Sequence, residues 1–372
     1  QKMTLLLLLL LFFLIIPIII IVLICIPSPF ISPLLPKSAA YSKPPTTPSV
    51  VQTDDDTTLS SIRCVGVHNG CHVANLLSLI IYPWSYTHIS ILSQLKLGLR
   101  HIEIDTWYER NSSDWFIFHE FVDPLTNETP DRTRDCLIEI RNWSRSNPDH
   151  HPVYIYFDVK GAYYRGCSGM SKLFGFGNFT SSSSSSSNKT CPEYVNLDSL
   201  ISSVFSNSQH VFRPCDLSLK KSSSSSLKSR FNGWPRANSL RGRVFFVLNT
   251  TFGERGSYDQ LRPGAMMFRR CIDRDGFSDD KDSLFYETRN MDFAKRYLEQ
   301  GYIVRTLLNR TGDDVRLEHE ITEAFRIGIQ YIACDNLRVA SRIFRDGRYC
   351  YYDVEEKKTS LDDVNKIIIS SK

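Results

Sequence analysis

Apolar residues fall into short runs separated by stretches with helical spacing. Eight runs rich in β-branched and aromatic side chains read as strands: Arg63 to Val67, His101 to Thr106, Trp115 to His119, Val153 to Asp158, Val244 to Leu248, Ala265 to Phe268, Tyr302 to Thr306 and Gln330 to Ala333. Apolar positions three to four apart predict helices over Ser90 to Leu99, Thr133 to Arg145, Leu197 to Phe205, Met291 to Gln300 and Arg316 to Ile327. Strands alternating with helices are the signature of parallel strands joined by crossover helices, and eight of them predict an α/β fold of the TIM (β/α)8 type. The sixth run and the region 207–243 are weakly patterned, which leaves a seven-stranded or distorted barrel open.

The pattern changes at both ends. Leu5 to Ile26 is an unbroken apolar run of 22 residues, long enough to cross about 30 Å of hydrocarbon as a helix. A secretory signal has an apolar region of about 7 to 15 residues and a nearby small-residue cleavage site. Ser38-Ala39-Ala40 lies well beyond this run, so an uncleaved signal anchor over 1–26 is favoured over a cleaved signal peptide. Residues 27–60 are rich in Pro, Ser and Thr and read as a linker. The barrel is expected over 61–350, with disordered serine insertions near 181–187 and 222–226, since serine tracts bury too little surface to offset their ordering entropy. A charged tail over 351–372 carries no hydrophobic attachment signal, so no GPI anchor is expected.

With 42% hydrophobic residues, 372 residues suffice for one barrel domain plus extensions. The net charge of +4 arises from 44 basic and 40 acidic residues that are mixed along the chain, so nucleic acid is not expected as a partner. Seven Asn-X-Ser/Thr sequons, at Asn111, Asn127, Asn142, Asn178, Asn188, Asn249 and Asn309, agree with a lumenal or extracellular location, either secreted or held by a single membrane pass. Cys25 belongs to the apolar run, and the nine remaining cysteines allow up to four disulfides whose pairing the sequence does not give.

Catalytic groups of a TIM barrel come from the C-terminal ends of different strands. The first four predicted strands each place polar residues there: His68-Asn69, Glu103-Ile104-Asp105, His119, and Asp158-Val159-Lys160. A single such residue is usually an ordinary surface group; four in succession point to a site. Glu103 and Asp105, two apart on a strand, share a face, and two like charges there call for a cation. Oxygen donors from Asn69, Glu103, Asp105 and Asp158 suit Ca2+, with Mg2+ as the alternative; a salt bridge to nearby Arg or Lys is the competing explanation. Two histidines, a cation and a lysine together supply proton transfer and charge stabilisation for cleaving a phosphodiester. His101 reads as a buried structural histidine, and His72 as a loop residue competing weakly with His68 for a place at the substrate.

These motifs resemble the calcium-dependent phosphatidylinositol-specific phospholipases C, in particular the single-domain branch of this PLC-like phosphodiesterase superfamily. The likeness rests on His68-Asn69, Glu103-Ile104-Asp105-Thr106-Trp107, Phe118-His119 and the Asp158 strand. It extends through Tyr86-Thr87-His88, Ser93-Gln94-Leu95, Gly98-Leu99-Arg100, Trp143-Ser144, Asn147-Pro148, Trp234-Pro235, Leu240-Arg241-Gly242-Arg243-Val244 and Gly301-Tyr302-Ile303-Val304-Arg305-Thr306, over roughly 62–337. The resemblance implies a phosphoric diester hydrolase in which a substrate hydroxyl attacks its own phosphodiester to give a cyclic phosphate. Asn69, Glu103, Asp105 and Asp158 would ligate the metal. His68 would act at the phosphoryl centre, His119 would protonate the leaving oxygen, and Lys160 and Arg305 would bind substrate, a phospholipid or related phosphodiester.

Two positions depart from the family pattern: Gly70-Cys71 where Ser or Thr and then Tyr are usual, and Asp158 where Glu is usual. Glycerophosphodiester or sphingolipid phosphodiesterase activity therefore stays open, as does a catalytically inactive lipid-binding barrel.

Overall fold

The computed structural model describes residues 57–73, 86–109, 112–117, 132–160, 192–206, 208–224, 226–249, 258–272, 280–308, 313–343 and 349–352. Within them the chain runs β1 (Ile62–Val67), α1 (Ile91–Lys96), β2 (His101–Glu109), β3 (Asp114–Ile117), α2 (Thr133–Ser146), β4 (Val153–Val159), α3 (Pro192–Val204) and α4 (Leu227–Arg230). It continues with β5 (Val244–Asn249), β6 (Met267–Ile272), β7 (Phe285–Glu287), α5 (Met291–Glu299), β8 (Ile303–Leu308), α6 (Asp314–Arg326), β9 (Tyr331–Cys334), α7 (Leu337–Ile343) and β10 (Cys350–Tyr352).

Strands covered on both faces are almost continuously apolar. Accordingly β5 is buried at every position and β4 at all but Asp158. Parallel pairing runs in the order β1, β9, β8, β7, β6, β5, β4, β2, and Val67 opposite Ile102 closes β1 onto β2. The result is a closed barrel of eight parallel strands with flanking helices, consistent with a TIM barrel.

Two strand expectations need correction. The run from Trp115 supplies β3, which pairs antiparallel with β2 outside the parallel set. Its place in the barrel belongs to β7, only three residues long and flanked by polar loops, too short for a periodic signal. β10 adds an antiparallel partner to β1, tied by a Cys64–Cys350 disulfide. Cys136, Cys215 and Cys334 are free thiols among the described residues.

Alternate residues along the strands fill the barrel in layers. The floor is aromatic: Tyr154 stacks on Phe245 at 5.1 Å between ring centres and meets Tyr331 at 4.4 Å and His101 at 4.8 Å, while Phe268 meets Phe285 at 5.1 Å. Such pairs contribute about 0.5–1.5 kcal/mol each beyond their area. Two residues further along the same strands the layer turns polar, with Glu103, Tyr156, Arg270, Glu287 and Arg305. Another two residues reach Asp105, Asp158 and Asn249 at the mouth, as the side-chain period of two requires.

Side-chain caps fix helix starts around the barrel: Ser90 for α1, Asn290 for α5 and Asp313 for α6. Ser226, expected in a disordered tract, caps α4 and donates to the Lys281 carbonyl. The run Leu5 to Ile26, the tract 181–187 and the tail beyond Tyr352 lie outside the described residues, and none of the described helices is long and apolar enough to cross a membrane.

Candidate active site

The turn after β1 places His68 and Asn69 at the mouth. Gly70 N–H donates to the Glu103 carbonyl at 2.7 Å, and Gln94 Nε2 donates to the Gly70 and Ile89 carbonyls at 2.6 and 2.7 Å. This packing explains Gly70, where the resemblance expects Ser or Thr: a Cβ would lie 2.8 Å from Ile102 Cγ2 and 3.0 Å from the Glu103 carbonyl. Asn69 is held at φ 50°, a left-handed conformation unusual for a residue other than glycine. Its amide donates to the Tyr86 hydroxyl at 2.8 Å, and its Oδ1 is buried without a hydrogen-bond partner.

His68 donates from Nδ1 to Asp335 Oδ1 at 2.6 Å, leaving Nε2 4.0 Å from Glu103 Oε1. Burial alone would lower its pKa, but Glu103, Asp335 and Asp105 together raise it to about 9. Burial likewise opposes the charge on Asp335, yet His68 holds that carboxyl below the ordinary aspartate value. His88 Nε2 donates to the His68 carbonyl at 2.9 Å and is kept neutral, chiefly by burial.

Glu103, Asp105 and Asp158 converge, each offering a carboxylate oxygen within 4.8 Å of the others'. Burial pushes Glu103 and Asp105 above the ordinary carboxylate range, against Arg305 and Lys160 respectively. Neither oxygen of buried Asp105 has a hydrogen-bond partner. Asp158 Oδ1 accepts from Asn249 Nδ2 at 2.8 Å and its Oδ2 from Lys160 Nζ at 2.7 Å; the same ammonium lies 3.3 Å from Asp105 Oδ1. Burial pulls the Lys160 ammonium down, but Asp105 and Asp158 hold it above the usual lysine value.

Four of the predicted site residues, His68, Glu103, Asp105 and Asp158, thus meet at one mouth with Lys160 among them, and Asn69 adjoins them through its turn. His119 lies outside the described residues. Arg305, expected to bind substrate, is only 2% exposed and sits beneath the carboxylates, bonded to Glu103, Glu287 and His101 and 4.0 Å from the Tyr156 ring centre. Its geometry is that of a buried counter-ion rather than a group presented to a ligand. His72 packs against the Tyr86 ring at 4.5 Å, and His101 is fully buried, accepting from Arg305.

Asp335, Glu287 and Asn249 were not anticipated. Asp335 directly follows the apolar run of β9, the same signal that marks His68, and could have been found by it. Glu287, which Arg270 and Arg305 hold at a pKa of about 2 against the effect of burial, was hidden by the brevity of β7. Asn249, read as a sequon, is buried and spends its amide on Asp158 and Arg270, so the folded chain does not present it for glycosylation.

The donor set suits a hard divalent cation. Three carboxylates converge on one point, and the buried oxygens of Asn69 and Asp105 lack hydrogen-bond partners, which a cation would supply.

Comparison with known proteins agrees. The fold is similar to a calcium-dependent phosphoinositol-specific phospholipase C from a Gram-negative Pseudomonas species, with 19% identity over 83% of this chain and 100% of that chain, at a TM-score of 0.54. The myoinositol complex of that protein matches with the same values. A Ca2+-dependent phosphatidylinositol-specific phospholipase C from Streptomyces antibioticus matches at 14% identity over 80% of this chain and 99% of that one, with a TM-score of 0.52. At these identities the likeness is one of fold. No curated protein sequence matches. The family model described as phosphoinositide phospholipase C, Ca2+-dependent, matches residues 114–359, well over half of the chain. On that match the chain belongs to the Ca2+-dependent phosphoinositide phospholipase C family, and so to the phosphoric diester hydrolases.

Proposed function

We propose that the protein cleaves the head-group phosphodiester of an inositol phospholipid, using a Ca2+ ion held by Asn69, Glu103, Asp105 and Asp158. The observation that carries this reading is the buried carboxylate cluster beside His68, with the Asn69 and Asp105 oxygens lacking hydrogen-bond partners. Ca2+ is favoured over Mg2+ because the ligands come from three strand ends and a strained turn, an irregular cage that a near-octahedral ion fits poorly. When bound, the ion would stabilise negative charge on the phosphoryl oxygens and the attacking hydroxyl.

The chain's own residues do the rest. Arg305 pairs with Glu103 from below, favouring its ionised form against burial and fixing its position. Asp335 holds the proton on His68 Nδ1 and so directs Nε2 toward the phosphoryl centre, where it stabilises the phosphoryl oxygens or takes the proton of the attacking hydroxyl. As that hydroxyl bonds to phosphorus, the bond to the diacylglycerol oxygen breaks and His119 gives that oxygen a proton. Lys160 contacts the phosphate. Turnover should disappear on exhaustive chelation and in a His68→Ala, His119→Ala double variant; unchanged release of water-soluble phosphate in either case contradicts the reading.

We also place the barrel on the lumenal or extracellular side, tethered by Leu5 to Ile26. The Cys64–Cys350 disulfide supports an oxidising compartment, where such bonds persist. The exposed sequon at Asn142 would carry glycan. Loss of mass on glycosidase treatment of the expressed chain tests this placement, and an unglycosylated, fully reduced chain contradicts it.

A further inference from the structure

Lys160 occupies ground that a bound cation needs. Both oxygens of Asp158 are engaged, Oδ1 by Asn249 at 2.8 Å and Oδ2 by the Lys160 ammonium at 2.7 Å, and that ammonium also lies 3.3 Å from Asp105. Calcium binds carboxylate oxygens at about 2.3–2.6 Å, so an ion on Asp105 and Asp158 would share their oxygens with a second positive charge a few ångströms away. In a poorly hydrated site that repulsion is large. Asp158 is also one methylene shorter than glutamate, which limits its reach around Lys160. Asn249, pinned between Asp158 and buried Arg270, keeps the carboxylate from turning aside.

The charges make the same point. Glu103, Asp105 and Asp158 face Lys160 and Arg305, so the metal-free cluster carries one negative charge in excess. Arg305 is buried and locked to Glu103 and Glu287 and cannot move out. Lys160, with a side chain 21% exposed on a flexible stem at the end of β4, can. A divalent ion overshoots neutrality while Lys160 stays; once Lys160 swings away, the carboxylates, Arg305 and the ion balance, and the freed ammonium matches a phosphodiester's negative charge.

We propose that Lys160 is a built-in counter-ion of the carboxylate site: it must leave Asp158 for the divalent cation to bind, and its departure delivers the ammonium to the substrate phosphate. This rests on the metal reading above and adds that cation and Lys160 exclude one another. Metal binding and phosphate binding are thereby coupled through one side chain, phosphate favouring the released lysine and so tightening metal binding.

The test uses the full chain and two readouts. Calcium titration by calorimetry of wild type and Lys160→Met should show at least tenfold tighter binding in the variant, although its turnover falls. Because removing any nearby positive charge tightens cation binding somewhat, amine-reactive labelling of wild type followed by mass spectrometry supplies the second readout. Adding Ca2+ without lipid should raise labelling of Lys160 several-fold, while exposed lysines such as Lys220 and Lys221 stay constant. Labelling of Lys160 that is unchanged or reduced by Ca2+, or a variant that binds Ca2+ no more tightly than wild type, overturns the proposal. If neither protein binds Ca2+, the metal reading itself fails. The labelling needs no variant, so misfolding of Lys160→Met leaves the test intact.

Discussion

Asp335 governs which nitrogen of His68 faces the substrate. Its carboxylate accepts from Nδ1 at 2.6 Å, so Nε2 is the atom left at the mouth. Removing it in Asp335→Ala should lower kcat by about 10²-fold or more, the usual scale for acid–base groups, with KM changed only a few-fold. Steady-state kinetics check this, and a large KM change at constant kcat would show that Asp335 binds substrate instead. A purely structural residue makes a useful contrast. Gly242 adopts φ +70°, and a Cβ there would lie 2.3 Å from the Pro148 carbonyl. Gly242→Ala should therefore cost about 2 kcal/mol or more in urea unfolding, with turnover per folded molecule preserved.

A disulfide joins β10 to β1. The three residues of β10 pair with Ile62 to Cys64, the start of β1 and the opposite end of that strand from His68 and Asn69, and the disulfide closes a sequence separation of 286. Cys350→Ser should lower stability by about 2–4 kcal/mol, measured by urea unfolding, and reduction of wild type should reproduce the loss. A variant as stable as wild type would mean that the strand pairing alone fixes β10.

The elements also show how far the chain could be read beforehand. Seven of the eight barrel strands were legible because burial on both faces makes them predominantly apolar, without break in the VFFVL of β5. β3 misled because its alternating Trp115 and Ile117 look like any half-buried strand, and nothing local distinguishes a hairpin partner from a barrel member. The carboxylates were legible from position alone, since strand ends converge in a barrel. The commitments of Arg305 and Asn249 were not, because they depend on neighbours more than 90 residues away in sequence, Asp158 for Asn249 and Glu103 for Arg305.

Over the whole molecule, buried neutral histidines set the acid limit of stability. His150 donates from Nδ1 to the His151 carbonyl at 2.6 Å and accepts from the Ser144 hydroxyl at 2.7 Å, and burial lowers its pKa from 6.5 to about 4. A depressed pKa means that the fold favours the neutral form. The stabilisation is thus complete above pH 6.5 and is lost as pH falls through 6.5 toward 4. Between pH 7 and 5 His150 should account for about 2 kcal/mol of lost stability. His150→Gln, which retains a donor and an acceptor, should flatten that slope in urea unfolding; an unchanged slope would assign the acid sensitivity elsewhere.

The central claim, a Ca2+-dependent phospholipase C directed at inositol lipids, is tested most directly by one assay. A panel of vesicles containing phosphatidylinositol, phosphatidylcholine, sphingomyelin or glycerophosphodiesters is incubated with the full chain, with and without Ca2+, and the released head groups are measured. The account predicts release of inositol phosphate from phosphatidylinositol in the presence of Ca2+, none after chelation, and little from the other lipids. Release from sphingomyelin or glycerophosphodiesters in place of phosphatidylinositol, or equal release without Ca2+, would contradict it.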